Sequence, residues 1–107
     1  MRLHVRARNI SLSDELMAHV DRHIHFALSR FADRIQTVHV SLWDLNGPRG
    51  GIDKACRVRI LLRFGRVLNF EDVDTTLHAV VSRVCDRASR HVGRELARQR
   101  STSRHLA

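Results

Sequence analysis

The chain has 107 residues, 43% of them apolar and 28% charged, which is the make-up of one globular domain and excludes a disordered or multidomain chain. Nineteen basic residues stand against 11 acidic ones for a net charge of +8, with Lys54 the only lysine; an excess of this size points to a polyanionic partner. Apolar runs such as Ile60-Leu61-Leu62 are far short of the ~20 residues of a membrane helix, so no membrane is implicated. The N-terminus alternates apolar and charged residues, where a signal peptide would need a continuous apolar stretch. Cys56 and Cys85 form no CxxC pair, which excludes a zinc ribbon or a disulfide framework and reads as two reduced core thiols of a cytoplasmic protein.

Arg2 to Arg8 alternates with period two and predicts a strand, with Leu3, Val5 and Ala7 on one face. Ser13 is an N-cap candidate, with Asp14 and Glu15 in the first turn where the helix dipole favours negative charge. Leu12 and Met17 take the positions of a hydrophobic staple. The helix is expected to run to about Ala32, with a core stripe of Leu16, Met17, Val20, Ile24, Ala27, Leu28 and Phe31. Ile35 to Asp44 alternates again, with Val38, Val40 and Leu42 inward. Asn46 to Gly51 is a loop by composition. Ala55 to Phe64 predicts a third strand with Cys56, Val58, Ile60, Leu62 and Phe64 inward. Gly65-Arg66 fits a two-residue type II′ hairpin into a fourth strand, Val67 to Val73. Asp74 is placed to cap a second helix from about Thr75 to Gln99, whose core stripe is Leu77, Val81, Val84, Cys85, Ala88, Val92 and Leu96. Residues 101–107 read as a flexible tail.

The expected fold is therefore α+β: a single β-α-β-β-β-α domain over residues 1–100, with a four-stranded sheet and both helices packed on one face. The helix between the first two strands makes them parallel. The other sheet face carries Arg2, Arg6, Arg8, Arg57, Arg59 and Arg63 toward solvent or a partner.

The charge is unevenly distributed. Residues 1–74 hold 12 basic and 9 acidic groups, net +3; residues 75–107 hold 7 and 2, net +5. Arg83, Arg87, Arg90, Arg94 and Arg98 project within a sector about 80° wide opposite the core stripe. Like charges at i,i+4 destabilise a helix by a few tenths of a kcal/mol, so a face built this way reads as a phosphate-tracking surface, the alternative being a solvated face of biased composition. On the first helix His19, Arg22, His23 and Arg30 surround Phe26. That ring either stacks on a base or packs at the flank against the second helix, as large apolar groups usually do. Trp43, on the outward sheet face, has the same two readings.

Enzymatic chemistry finds no support. No GxSxG elbow or GK[ST] phosphate loop is present, and Glu71, Asp72 and Asp74 sit at a strand-to-helix junction where capping accounts for them. Glu15, His19 and His23 follow i, i+4, i+8, a spacing open to zinc, but no HExxH pattern and no distant third ligand accompany them. No catalytic residue, metal site, cofactor or small-molecule substrate is therefore expected.

Several stretches carry a resemblance in their order: Arg8-Asn9-Ile10 with Leu12-Ser13, Phe31 with Asp33-Arg34-Ile35, Val38-His39-Val40, and Asp44 through Lys54 with Cys56-Arg57-Val58. Across residues 1–100 the chain resembles the ribosome hibernation-promoting factor and ribosome-associated inhibitor (RaiA-type) family, short form. The resemblance implies the β-α-β-β-β-α fold. It implies a ribosome-associated factor that binds small-subunit rRNA in the groove for mRNA and tRNA and blocks translation by occlusion, not catalysis. The family's basic positions fall on Arg87, Arg90 and Arg94, with Arg83 one turn earlier, and near Arg22, His23 and Arg30. The implied partners are the small ribosomal subunit and its rRNA, with the protein monomeric off the ribosome and free of the long type's dimer-forming second domain. The common Asp-x-Tyr-x-Ala-Ile-Asp opening of the second helix is replaced here by Thr76-Leu77-His78-Ala79-Val80-Val81-Ser82. The first helix is one residue longer between Val20 and Leu28 than the common form. Apart from the resemblance, the residues leave open a general RNA-binding regulatory module without ribosome specificity.

Overall fold

Strand β1 (Arg2–Arg8) keeps the alternation of its sequence, with Arg2, His4, Arg6 and Arg8 exposed and Leu3, Val5 and Ala7 half-buried. The computed structural model describes residues 1–45 and 53–106, with side chains through Ser101; the predicted loop Asn46–Gly51 lies outside these. After β1 the chain turns at Asn9, whose φ of 61° is left-handed and tolerated by its short polar side chain.

Helix α1 (Asp14–Leu28) opens as the sequence predicts. The Ser13 hydroxyl accepts the Leu16 N–H at 3.1 Å, and Asp14 and Glu15 occupy the first turn. It ends four residues before the expected Ala32, passing into a 3-10 turn, Ser29–Arg34. Three residues per turn bring Phe31 back over the azimuth of Leu28, toward the core. Phe31 packs there, its Cζ 3.5 Å from where a methyl on Gly93 would sit.

Strands β2 (Ile35–Asp44), β3 (Lys54–Leu62) and β4 (Val67–Asp74) complete a sheet of order β1-β2-β3-β4, parallel between β1 and β2 and antiparallel elsewhere. A register shift at Gln36 lets Ile35 and Val38, three residues apart, both point inward.

The β3–β4 connection corrects two expectations. Phe64 is not inward but 86% exposed, and the turn spans Arg63–Arg66, closed by the Leu62 N–H to the Arg66 carbonyl at 3.1 Å. The pairings Val58↔Phe70 and Ile60↔Leu68 put Phe70 and Leu68 on the core face. A two-residue Gly65-Arg66 hairpin would instead set Glu71 opposite Ile60 and turn Phe70 to solvent, because a register change by an odd number of residues exchanges faces. Burying Phe70 at 7% exposure prevails over burying Phe64.

Helix α2 (Leu77–Leu106) begins later than expected. Thr76, not Asp74, caps it, accepting the Ala79 N–H at 3.1 Å. Asp74 still belongs to β4, opposite Lys54, and accepts the Thr75 N–H at 2.6 Å. The helix continues beyond Gln99, where the sequence offers neither Gly nor Pro to stop it.

Both helices cover one side of the sheet. Val20, Ile24 and Leu28 of α1 and Val80, Val81, Val84 and Val92 of α2 join Val38, Val40, Val58 and Ile60 in one buried cluster. Each such side chain contributes ~1.5–3 kcal/mol on burial. Met17, expected in the stripe, lies at its edge and is 37% exposed. Cys56 and Cys85 are free and buried, and burial pushes both thiols up to about 12.

Candidate nucleic-acid interface

The arginines of α2 are not equivalent. Arg83 reaches Asp74 at 2.6 Å and Asp72 at 3.7 Å, and Arg87 reaches Asp72 at 2.9 Å. Arg87 also donates to the Glu71 carbonyl at 3.4 Å. These acids thus do not cap α2, the role expected from the sequence: they stand along the end of β4 and neutralise the first two turns of the stripe. Asp74 is held below its ordinary carboxylate range, chiefly by the Thr75 N–H and then by Arg83. Further along, Arg98 bridges to Glu95 at 3.2 Å, and Glu95, buried at 7% exposure, also meets Arg66 at 3.5 Å. Between these paired ends, Arg90 and Arg94 are exposed and have no carboxylate partner among the described residues. The uncompensated charge of the stripe is therefore concentrated at its middle.

Helix α1 contributes beside it. The His23 Nε2 lies 3.5 Å from the Ser82 Oγ, and Arg30 donates to the Ser89 Oγ at 3.1 Å while lying 4.7 Å over the Phe31 ring. The first contact ties α1 to α2 and the second ties the 3-10 turn to it, so His23 and Arg30 border the α2 surface. Arg22 is exposed and has no carboxylate partner among the described residues. Phe26 is 88% exposed, so the flank packing against α2 is not what it does. It follows Arg22 by one turn, at i+4 spacing on one edge of α1, with Arg30 beyond it in the 3-10 turn.

The histidines gather differently from their spacing. His19 packs against His23 at 4.3 Å and His78 of α2 at 4.1 Å between ring centroids. Burial first, and then His23 and His78, lower the affinity of His19 for a proton, and its Nε2 is buried without a hydrogen-bond partner. Glu15 is not part of this cluster, and among the described residues no group of three or more His, Cys, Asp or Glu is arranged to hold a metal ion. His78 was legible in the sequence only as a scattered residue.

On the opposite side of the molecule, among the described residues, no helix covers the sheet. Arg6, Arg8, Arg57 and Arg59 are exposed there, Arg57 pairing with Glu71 at 3.1 Å and lying 5.4 Å over the half-buried Trp43 ring.

A model of the sigma 54 modulation protein / S30EA ribosomal protein family matches residues 3–100. The chain belongs to this family. Its members are ribosome-associated factors, in agreement with the resemblance carried by the motifs. Two solved structures share the fold. A ribosomal subunit interface protein from Coxiella burnetii superposes with a TM-score of 0.74 at 14% identity, over 91% of this chain and 99% of that one. The N-terminal domain of Thermus thermophilus Protein Y gives 0.71 at 23% identity, over 88% and 98%. No curated protein matches the chain. Among the described residues no helix is long and apolar enough to cross a membrane.

Proposed function

We propose that this protein is a cytoplasmic hibernation factor that binds small-subunit rRNA in the groove for mRNA and tRNA and silences the ribosome by occupying it, without catalysis. The observation that carries this reading is the exposed cationic surface of α2 and α1, uncompensated at Arg90, Arg94 and Arg22, in a chain of a ribosome-associated family. Arginine suits the task because its planar fork donates two parallel hydrogen bonds to one phosphate. Arg83, Arg87 and Arg98 join the contact by exchanging their carboxylate partners for phosphate, and His23 and Arg30 hold its border. Phe26 supplies a stacking platform beside them; base-on-aromatic stacking contributes ~1–3 kcal/mol per base. Inhibition then needs only volume and charge: a folded domain in the groove excludes the ligands that belong there.

Sedimentation of lysate through a low-salt gradient tests the reading. The protein should travel with small subunits or whole ribosomes, and the Arg87→Glu/Arg90→Glu/Arg94→Glu variant should stay at the top while remaining folded. Wild-type protein at the top would refute it. Equal affinity for small subunits and for arbitrary RNA would replace it with a general RNA-binding module.

A further inference from the structure

The face of the sheet away from the helices is built from cross-strand rows. One row runs His4, His39, Arg59 and Asn69 across the four strands; the next runs Arg6, Ser41, Arg57 and Glu71. Rows two residues apart along a strand are about 7 Å apart. Between them lies an open trough of about 450 Å³, lined by His4, Arg6, His39, Ser41, Arg57 and Arg59. Along one wall of it the His4 and His39 rings stack, with centroids 5.0 Å apart and planes only 14° from parallel. Among the described residues no helix covers this face, since both pack on the other. The one carboxylate of the two rows, Glu71, is occupied by Arg57. Arg6 and Arg59 have no carboxylate partner among the described residues.

We infer that this trough is a second RNA-contacting surface, in which the stacked His4–His39 pair, bracketed by Arg6 and Arg59, takes up protons as the phosphate backbone of an RNA strand settles between them. The inference rests on the RNA-directed reading above and adds to it a separate face and a pH dependence. A cationic trough with its only acid already paired is complementary to a chain of phosphates. The groups facing His39 are His4 and Arg6 from β1 and Arg57 and Arg59 from β3, with Glu71 of β4 behind Arg57. Burial first, and then His4, Arg59 and Arg6, hold His39 below the ordinary histidine range. A phosphate seated among these cations offsets their repulsion, so the bound state holds more protons than the free one. By linkage, affinity then rises as pH falls, by at most about tenfold per pH unit for each proton taken up.

Two measurements on the whole chain decide the matter. In the first, ring signals of His4 and His39 are followed by NMR from about pH 5 to pH 8, alone and with a single-stranded RNA dodecamer. RNA should raise the protonation midpoints of this pair. Unmoved midpoints would overturn the inference, and an equal rise with polyglutamate of matched charge would overturn its assignment to RNA. In the second, affinity for purified small subunits is compared near pH 6 and near pH 7.5, with circular dichroism showing each protein folded at both. Wild type should bind several-fold more tightly at the lower pH. His4→Gln/His39→Gln should lose most of that ratio, and Arg90→Glu/Arg94→Glu should weaken at both pH values while keeping it. An unchanged ratio in the histidine variant would overturn the sheet-face site and leave the α2 surface standing. Failure of wild type to bind subunits at all would overturn the ribosomal reading, and the dodecamer arm would then decide the sheet-face site alone.

Discussion

Exchanging Arg90 and Arg94 for alanine should flatten the salt dependence of binding to small ribosomal subunits, and the size of that change separates free from paired arginines. Each phosphate contact contributes a slope of about 0.7–0.9 in log affinity against log salt, so two lost contacts make it shallower by about 1.4–1.8. Between about 50 and 200 mM salt the advantage of wild type over the variant should then shrink by about 7–12-fold. Arg83 and Arg87 start from a different state, each bound to a carboxylate of β4 at 2.6 and 2.9 Å. An ion pair is nearly neutral to a distant phosphate, and breaking it sets free Asp74 or Asp72 beside the RNA. Arg83→Ala/Arg87→Ala should therefore change the slope less than Arg90→Ala/Arg94→Ala does. The assay is a binding titration at four or five salt concentrations, with thermal melts confirming the fold. Stability should not fall in the Arg90/Arg94 variant, because an i,i+4 repulsion of a few tenths of a kcal/mol is relieved. An equal slope change in the two variants would refute the division of the stripe. No slope change in the Arg90/Arg94 variant would remove α2 from the interface.

Three further outcomes concern the fold. Leu28→Ala, at a fully buried position, should cost about 2–5 kcal/mol in urea unfolding, whereas Phe64→Ala, at 86% exposure, should stay within about 0.5 kcal/mol; the opposite order would restore the inward Phe64 of the sequence pattern. Gly93→Ala should stabilise α2 by about 0.5–1 kcal/mol in calorimetry, since the added methyl meets Phe31 at an ordinary contact distance of 3.5 Å; a lowered melting temperature would mean that α2 and the 3-10 turn are packed too closely there for a methyl. His19 binds its proton less readily folded than unfolded, so the unfolded chain gains the proton first as pH falls through about 6.5 and stability drops there. His19→Gln should lose less stability than wild type between about pH 7.5 and 5.5 in chemical denaturation, and an identical loss would place the acid sensitivity elsewhere.

The order of elements was readable because each strand except β4 alternates cleanly and each helix has one apolar stripe. Ser13 was readable as a cap because its bond to Leu16 is local. What escaped depended on partners distant in the chain. Phe64 continues the alternation of β3 without fault, and only the pairing of Val58 with Phe70 turns it outward. Asp74 has the right chemistry for a cap, but its place opposite Lys54 keeps it in the sheet and passes the role to Thr76. The Arg stripe was visible as a helical face, but not the division of its charge, because Asp72 lies 15 residues before Arg87. His78 joins His19 only once α1 and α2 lie side by side. The stacking of His4 on His39 likewise needs β1 and β2 to meet in register, which no local pattern specifies.

The two cysteines make the protein its own unfolding clock. Cys56 sits on β3 at 0% exposure and Cys85 on α2 at 2%, one on each side of the packed layer. A thiol reagent reacts only with thiolate it can reach, so labelling must wait for the core to open. If sheet and helices part together, both thiols should be labelled at one rate; if α2 lifts first, Cys85 should lead. With no other cysteine in the chain, the native sequence times these events without an added probe, on and off the ribosome alike.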